Sequence, residues 1–422
     1  MIGNLPVAGL KTLHHRSDWN TARLKFLFQR VARAAEDEAG IVTAFRDGVV
    51  TLRSNRREDG FTFAEKEIGY QGVKAGDLVI HAMDGFAGAI GVSDSDGKVS
   101  PVLTVLTPTK NAFPKFWGYY LRSLALSGFI TSLAKGIRER STDFRWKDAG
   151  NLLVNYPDLP TQRAIADFLD RETARIDTLI EKKQRLVELL GEKRNAAISH
   201  GLLQFPLNKK LKHSAIVLNG YAFKSEQFQD DGVPVVRQSN LKSGKIEHDG
   251  RCYPSHLTPT RFLLKVGDLC VGMSGSIENF GIVQGKDLPA GLNQRVAALR
   301  ANENTCRQGL LPFYVQSRVF KDHISSNLPS TTIVNIDSHL IANAPFPEIS
   351  LSQQDDVIEH LEQTVRNSET LTAKTNSSID RLKEYRSALI TSAVTGQIDV
   401  TKWTNAQTTD RQLDAIEEEF GA

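Results

Sequence analysis

Two stretches of the chain have mostly apolar residues at positions spaced alternately by four and three. The first runs Ile165, Leu169, Glu172, Ile176, Leu179, Lys183, Leu186, Leu190, Lys193, Ala197. The second runs Val357, Leu361, Thr364, Ser368, Leu371, Thr375, Ser378, Leu382, Tyr385, Leu389. This spacing is the seam of a heptad repeat and predicts two helices. The second keeps the phase of the first but loses apolar character in its middle. Pro157 and Pro160 mark the start of one helix, Pro345 and Pro347 the start of the other, and Gly201 and Gly396 supply the expected stops. A helix of about 40 residues is about 60 Å long and cannot bury its stripe alone, so the two are expected to pair.

The helices are copies of each other. At an offset of 192 the window from Leu159 to Ile198 aligns without a gap, matching Leu159/Leu351, Gln162/Gln354, Leu169/Leu361, Leu190/Leu382, Arg194/Arg386 and Ile198/Ile390. The stretches in front of them correspond more loosely. "KAGDLVIHAMDGFAGAIGV" (74–92) matches "KVGDLCVGMSGSIENFGIV" (265–283), each a strand-like run, a Gly-rich turn and a second strand. "FWGYYLRS" (116–123) matches "LPFYVQSR" (311–318), a short helix in both, and "STDFRWKD" (141–148) matches "STTIVNID" (330–337). Shared framework positions with unlike residues between them describe two modules of one fold that read different things.

Length and composition narrow the class. At 422 residues the chain predicts two or three domains, and 40% hydrophobic with 24% charged residues is an ordinary globular balance. No apolar run approaches the roughly 18 residues of a membrane span, and the start lacks a signal-peptide pattern, so a cytoplasmic protein with no membrane is expected. Cys252, Cys270 and Cys306 are odd in number and lack C-x-x-C spacing, which argues against disulfides and zinc alike. The segment after residue 400 sets Lys402 and Arg411 against Asp410, Asp414, Glu417, Glu418 and Glu419. Removing this acidic tail from a net charge of +3 leaves the remainder at +6, mildly basic and compatible with nucleic acid.

The stretch "PDLPTQRAIADFLDRETARIDTLIEKKQRLVELLGEKRNAAI" (157–198), its copy, and the closing "EYRSALITSAVTGQIDV" (384–400) make the chain resemble the specificity subunit of type I restriction-modification systems. The likeness covers about residues 20–400 and is strongest in the helices. It implies an α+β protein: two pseudo-twofold-related mixed α/β target-recognition domains separated by two long helices that pair as an antiparallel coiled coil. The corresponding boundaries are 1–158 and 205–349 for the recognition domains, 159–204 and 350–400 for the spacer helices, and 401–422 for the acidic tail. The resemblance further implies a bipartite double-stranded DNA target and docking of two adenine-methylating modification subunits, with restriction subunits added in the full complex. On this reading the chain has no active site, and S-adenosylmethionine, Mg and ATP belong to the partner subunits. The seam residues Ile165, Leu169, Ile176, Leu179, Leu186, Leu190, Val357, Leu361, Leu371, Leu382 and Leu389 would pair the helices and support docking. One departure is that "AAIS" runs straight into "HGLLQF", without a counterpart of "AVT" (393–395).

Two motifs imitate enzymes. "NAPF" (343–346) is one residue from a methyltransferase N-P-P-F loop, but Ala344 replaces a proline and no cofactor loop accompanies it. Pro157-Asp158 with Glu181-Lys182-Lys183 fits a loose nuclease spacing, but a metal nuclease needs its carboxylates around one ion, and Glu181 is placed mid-helix. The glycines Gly85, Gly88, Gly275 and Gly281 fit hairpin turns better than phosphate cradles. The ten histidines form no H-x-x-x-H pair.

Reading DNA needs Arg, Lys, Asn and Gln at base edges and cations at phosphates. The first module offers Arg46, Arg53, Arg56 and Arg57, then Arg138, Arg140 and Arg145; the second offers Arg237, Gln238, Asn240 and Lys242, then Asn293, Gln294 and Arg295. For any single one a solvated surface charge is the plain alternative, and for the chain it is a coiled-coil adaptor with two protein-binding modules.

Overall fold

The structure, a computed structural model, describes residues 16–56, 68–132, 144–274, 279–327 and 336–400. The chain forms two compact units, Met1–Gln184 with Thr375–Ala422, and Arg185–Lys374. Each long helix therefore gives one half to each unit.

The first unit begins with β1 (Asn20–Arg23) and β2 (Phe28–Arg30), followed by a hairpin of β3 (Val42–Ala44) and β4 (Val50–Leu52). Next come β5 (Leu78–His81), β6 (Ile90–Val92), β7 (Leu103–Pro108) and helix α1 (Pro114–Leu126). Strand β8 (Leu153–Tyr156) pairs antiparallel with β1 and feeds α2 (Leu159–Leu203). An antiparallel sheet in the order β2-β7-β5-β6 forms the floor. Helix α1 opens on Pro114, whose missing N–H costs nothing in the first turn, and buries Phe116, Trp117, Tyr120, Leu121 and Leu124. Trp117, fully buried, meets Phe28 edge-on with ring centres 6.1 Å apart.

The second unit repeats this plan. Strand β9 (Lys209–Lys210) precedes β10 (Ala215–Asn219), β11 (Leu269–Gly272), β12 (Phe280–Ile282) and β13 (Val296–Ala301). These are followed by α3 (Leu311–Gln316), α4 (Arg318–Ser326), β14 (Pro345–Phe346) and α5 (Leu351–Val394). The sheet order is β10-β13-β11-β12 and β9 pairs with β14, the same arrangement strand for strand. Tyr314 fills the place of the aromatic centre, packed on Phe346 at 4.8 Å, with its hydroxyl donating to Pro345 O.

The repeated helix opening has a physical cause. Gln162 and Gln354 are almost fully buried, at 0% and 1% exposure. Gln162 Oε1 accepts from Phe113 N at 2.9 Å, and its Nε2 donates to Asn111 O and Pro157 O, both at 3.0 Å. Gln354 Oε1 accepts from Arg307 N at 2.8 Å, and its Nε2 donates to Thr305 O at 3.0 Å and Ile349 O at 3.1 Å. Each amide thus locks the helix start to the loop after the last sheet strand, satisfying backbone groups that burial would otherwise orphan. Asp158 caps α2 by accepting from Thr161 N. Ser350 and Gln353 form a reciprocal capping box at α5.

Within each unit the helix halves run antiparallel. In the first, Asn155, just before α2, accepts from Arg16 N, and Arg16 Nη1 reaches Gly396 O, just after α5; further along α2, Asp177 pairs with Arg386 at 2.8 and 2.9 Å. In the second, Ser368 Oγ donates to Leu190 O, and Gly201 lies against Leu361. Ile165, Leu169, Ile176, Leu382 and Leu389 are buried in the first unit, and Val357 and Leu361 in the second; Leu179, Leu190 and Leu371 are half-buried.

Three expectations need correction. Leu186 is 38% exposed, although the seam positions on either side of it, Lys183 and Leu190, are buried and half-buried. Gly201 is not a stop: α2 continues to Leu203, and a Cβ at Gly201 would stand 3.2 Å from Leu361, so the glycine permits close helix approach. Gly396, with φ of +70°, does end α5. Gly281 lies in β12 rather than in a turn, while Gly275 falls outside the described residues.

Candidate nucleic-acid interface

Past the end of β5, three segments meet at a backbone junction: Ala82 N donates to Val102 O at 2.8 Å, and Phe144 N donates to Ala82 O at 2.9 Å. The second unit repeats it after β11, with Met273 N to Arg295 O at 2.9 Å and Ile336 N to Met273 O at 2.7 Å. Phe144 therefore corresponds to Ile336, which moves the match of "STDFRWKD" three residues along and restores the helices' offset of 192. The neighbouring side chains do not correspond. Met83 stands where the second unit has Ser274, Val102 where it has Arg295, and Arg145 where it has Asp337.

In the second unit Gln238, Asn293 and Arg295 meet at this rim. Asn293 N donates to Val236 O, joining the loops of Arg237 and Arg295. Gln238 clasps the backbone of Ser274 through both ends of its amide. Arg237 pairs with Asp249 and lies 5.8 Å from the Phe228 ring centre. Gln294, Arg295 and Lys242 are exposed, and Asn293 Oδ1 accepts from Arg295 N. Asn240 is turned inward: at 2% exposure, it accepts from Arg237 N and donates to Glu247 O. Its amide is consumed in holding the turn, so it is not a group free to meet a base.

The first unit spreads its candidates. Arg46 pairs with Asp84 at 2.8 Å beside the junction. Arg53 Nε donates to Thr43 Oγ1, and Arg56 pairs with Asp47 while stacking 4.4 Å over Phe45. Arg145 is exposed at the start of the helical turn Trp146–Ala149. Arg57, Arg138 and Arg140 lie outside the described residues. Exposed ion pairs of this kind are worth about 0.2–1 kcal/mol. His81 Nδ1 accepts from Asp84 N, and burial holds the imidazole below its ordinary pKa of 6.5 against the opposing pull of Asp84. The ring is thus a neutral acceptor near pH 7.

Paired carboxylates that sequence reasoning passed over hold the strand before each junction. Asp77 accepts from Lys74 N and pairs with Arg33; Asp268 accepts from Lys265 N and pairs with Arg300 at 2.8 and 2.7 Å. The shared K-x-G-D was the available signal. Asp158 and Asn343, from the two enzyme-like motifs, are both occupied as helix caps. Among the described residues no group of three His, Cys, Asp or Glu could hold a metal ion, and no helix is long and apolar enough to cross a membrane.

No protein-family model matches the chain. It is 28% identical over 186 residues to the EcoBI type I restriction enzyme specificity subunit of Escherichia coli, covering 44% of this chain and 37% of that protein. It is 29% identical over 156 residues to the EcoAI specificity subunit of the same organism, covering 35% and 26%. The matched region thus spans about a third of these relatives. The MjaVIII specificity subunit of Methanocaldococcus jannaschii is 24% identical, with 67% and 70% covered. A chain solved in work on assembly and conformational transition of the type I R-M system superposes with a TM-score of 0.67 at 16% identity, covering 91% of this chain and 99% of its own. The HsdS subunit of Thermoanaerobacter tengcongensis gives 0.53 at 16% identity, covering 93% and 100%. The chain has the fold of an HsdS subunit, and the curated proteins it is similar to are specificity subunits of type I restriction enzymes.

Proposed function

We propose that this chain chooses the DNA sequence for a type I restriction-modification complex and is not itself a catalyst. Each recognition module, 1–158 and 205–349, reads one half of a bipartite duplex site, and the spacers 159–204 and 350–400 set the gap. Two adenine-methylating modification subunits dock on the helices, restriction subunits join the full complex, and S-adenosylmethionine, Mg and ATP act on those partners in the cytoplasm. One observation carries the reading: both units build the same backbone junction, yet the side chains around it are unlike. A scaffold that repeats while its rim diverges suits two readers of different sequences.

The reading is tested by replacing residues 205–349 with the matching module of a related chain and mapping methylated adenines in the host genome. One half-site should change and the other stay. A simultaneous change in both halves would remove the two-reader reading, and loss of sequence-selective, salt-dependent duplex binding would favour the adaptor alternative.

A further inference from the structure

Some exposed positions break the pattern of divergence. In the first unit Lys25 Nζ donates to Asn151 Oδ1 at 3.1 Å; in the second, Lys212 Nζ donates to Asn343 Oδ1 at 3.0 Å. Each asparagine also donates Nδ2 to the carbonyl four residues back, Lys147 O at 2.7 Å and His339 O at 2.9 Å. Two residues before each lysine stands another cation, Arg23 or Lys210, at the same register of the β1–β8 and β9–β14 pairs. Both lysines and both of these cations are exposed.

Packing explains the asparagines, which end a helical turn in both units. It does not explain the cations, since an exposed bond from a lysine to a neutral amide adds little stability. What two readers of different sequences share on their surfaces should face something that does not vary with sequence. The backbone phosphates of a duplex have that property, whereas base edges do not. Position agrees: a single helical turn, Trp146–Ala149 or Ser338–Ala342, about 6–8 Å long, separates each patch from its junction.

Resting on the functional reading above, we propose that Lys25 with Arg23, and Lys212 with Lys210, are matching phosphate clamps that seat each module on the DNA backbone independently of sequence. The test uses the full-length chain, purified with the subunits it binds, carrying Lys25→Gln, Lys212→Gln or both. Glutamine keeps an amide donor for the asparagine, so the cap survives while the charge is lost. Binding is measured by fluorescence anisotropy from about 50 to 200 mM salt, on a duplex bearing the methylated site and on a scrambled duplex. The slope of log affinity against log salt should flatten by about one per substitution and about two for the pair. Affinity for both duplexes should fall by the same factor, and the methylated sequence should not change. Unchanged slopes overturn the proposal, as does an altered recognition sequence, which would make these base contacts. Unchanged DNA binding with lost subunit assembly also overturns it and assigns the patch to a protein partner. If the unaltered chain shows no preference between the duplexes, the functional reading falls and the clamp with it; a selective chain with insensitive variants removes the clamp alone.

Discussion

Single residues decide whether each helix starts where it must. Gln354 satisfies Arg307 N, Thr305 O and Ile349 O from a buried position, so Gln354→Leu would strand those groups without water. A loss on the order of 3 kcal/mol is expected, measured by chemical denaturation, and Gln162→Leu should cost at least as much, because Gln162 makes the equivalent bonds and also accepts from Trp117 Nε1. His81 gives a pH-dependent counterpart. Its folded pKa lies below 6.5, so as pH falls through that value the unfolded chain takes up a proton that the folded site resists, and stability declines. An NMR titration should place the His81 midpoint below 6.5; a midpoint above it would contradict the neutral acceptor at Asp84 N. At this scale the sequence was least legible. The pairing of Gln162 with Gln354 was visible, but their partners lie 45 to 51 residues away or just outside the helix, beyond any local pattern. The arginines illustrate the same difficulty. Their aspartates, Asp84 for Arg46 and Asp249 for Arg237, come from other loops, and Asn240 looked like a reader until the turn that consumes it was in place.

Elements were more legible in proportion to their length. Over 45 residues a 3.6-residue period is sampled many times, so α2 and α5 could be read directly. Strands such as β9 and β14 have two residues and carry no period of their own; only their place before a copied helix marks them. The seam also shows where pattern and burial separate. Leu382, on the heptad stripe of α5, is fully buried, while Leu186, on the heptad stripe of α2, is 38% exposed. The substitutions Leu382→Asp and Leu186→Asp should therefore differ. The first buries a charge and should cost about 3–5 kcal/mol. The second should change stability by less than about 1 kcal/mol. If the helices hold modification subunits as proposed, Leu186→Asp, alone or with the exposed Leu189, should still weaken co-purification with them. A folded Leu186→Asp variant that assembles normally would move docking away from this stretch.

At the scale of the whole molecule, both long helices pass from one compact unit to the other, α2 at Gln184–Arg185 and α5 at Lys374–Thr375. Lengthening one alone would break the register recorded by Asp177 with Arg386 in the first unit and Leu190 with Ser368 in the second. A test of the ruler must therefore lengthen both. Seven residues after Gln184 and seven after Lys374 preserve the heptad phase, so the faces that pack in each unit keep their orientation. The added rise is about 10 Å of helix, and at about 3.4 Å per base pair this amounts to about three pairs. The methylated sequence of the doubly extended chain should keep both half-sites and gain about three unread pairs between them, read out by sequencing the host methylome. Retained methylation at an unchanged gap would show that the helices do not set the distance, and a changed half-site would show that they do more than set it.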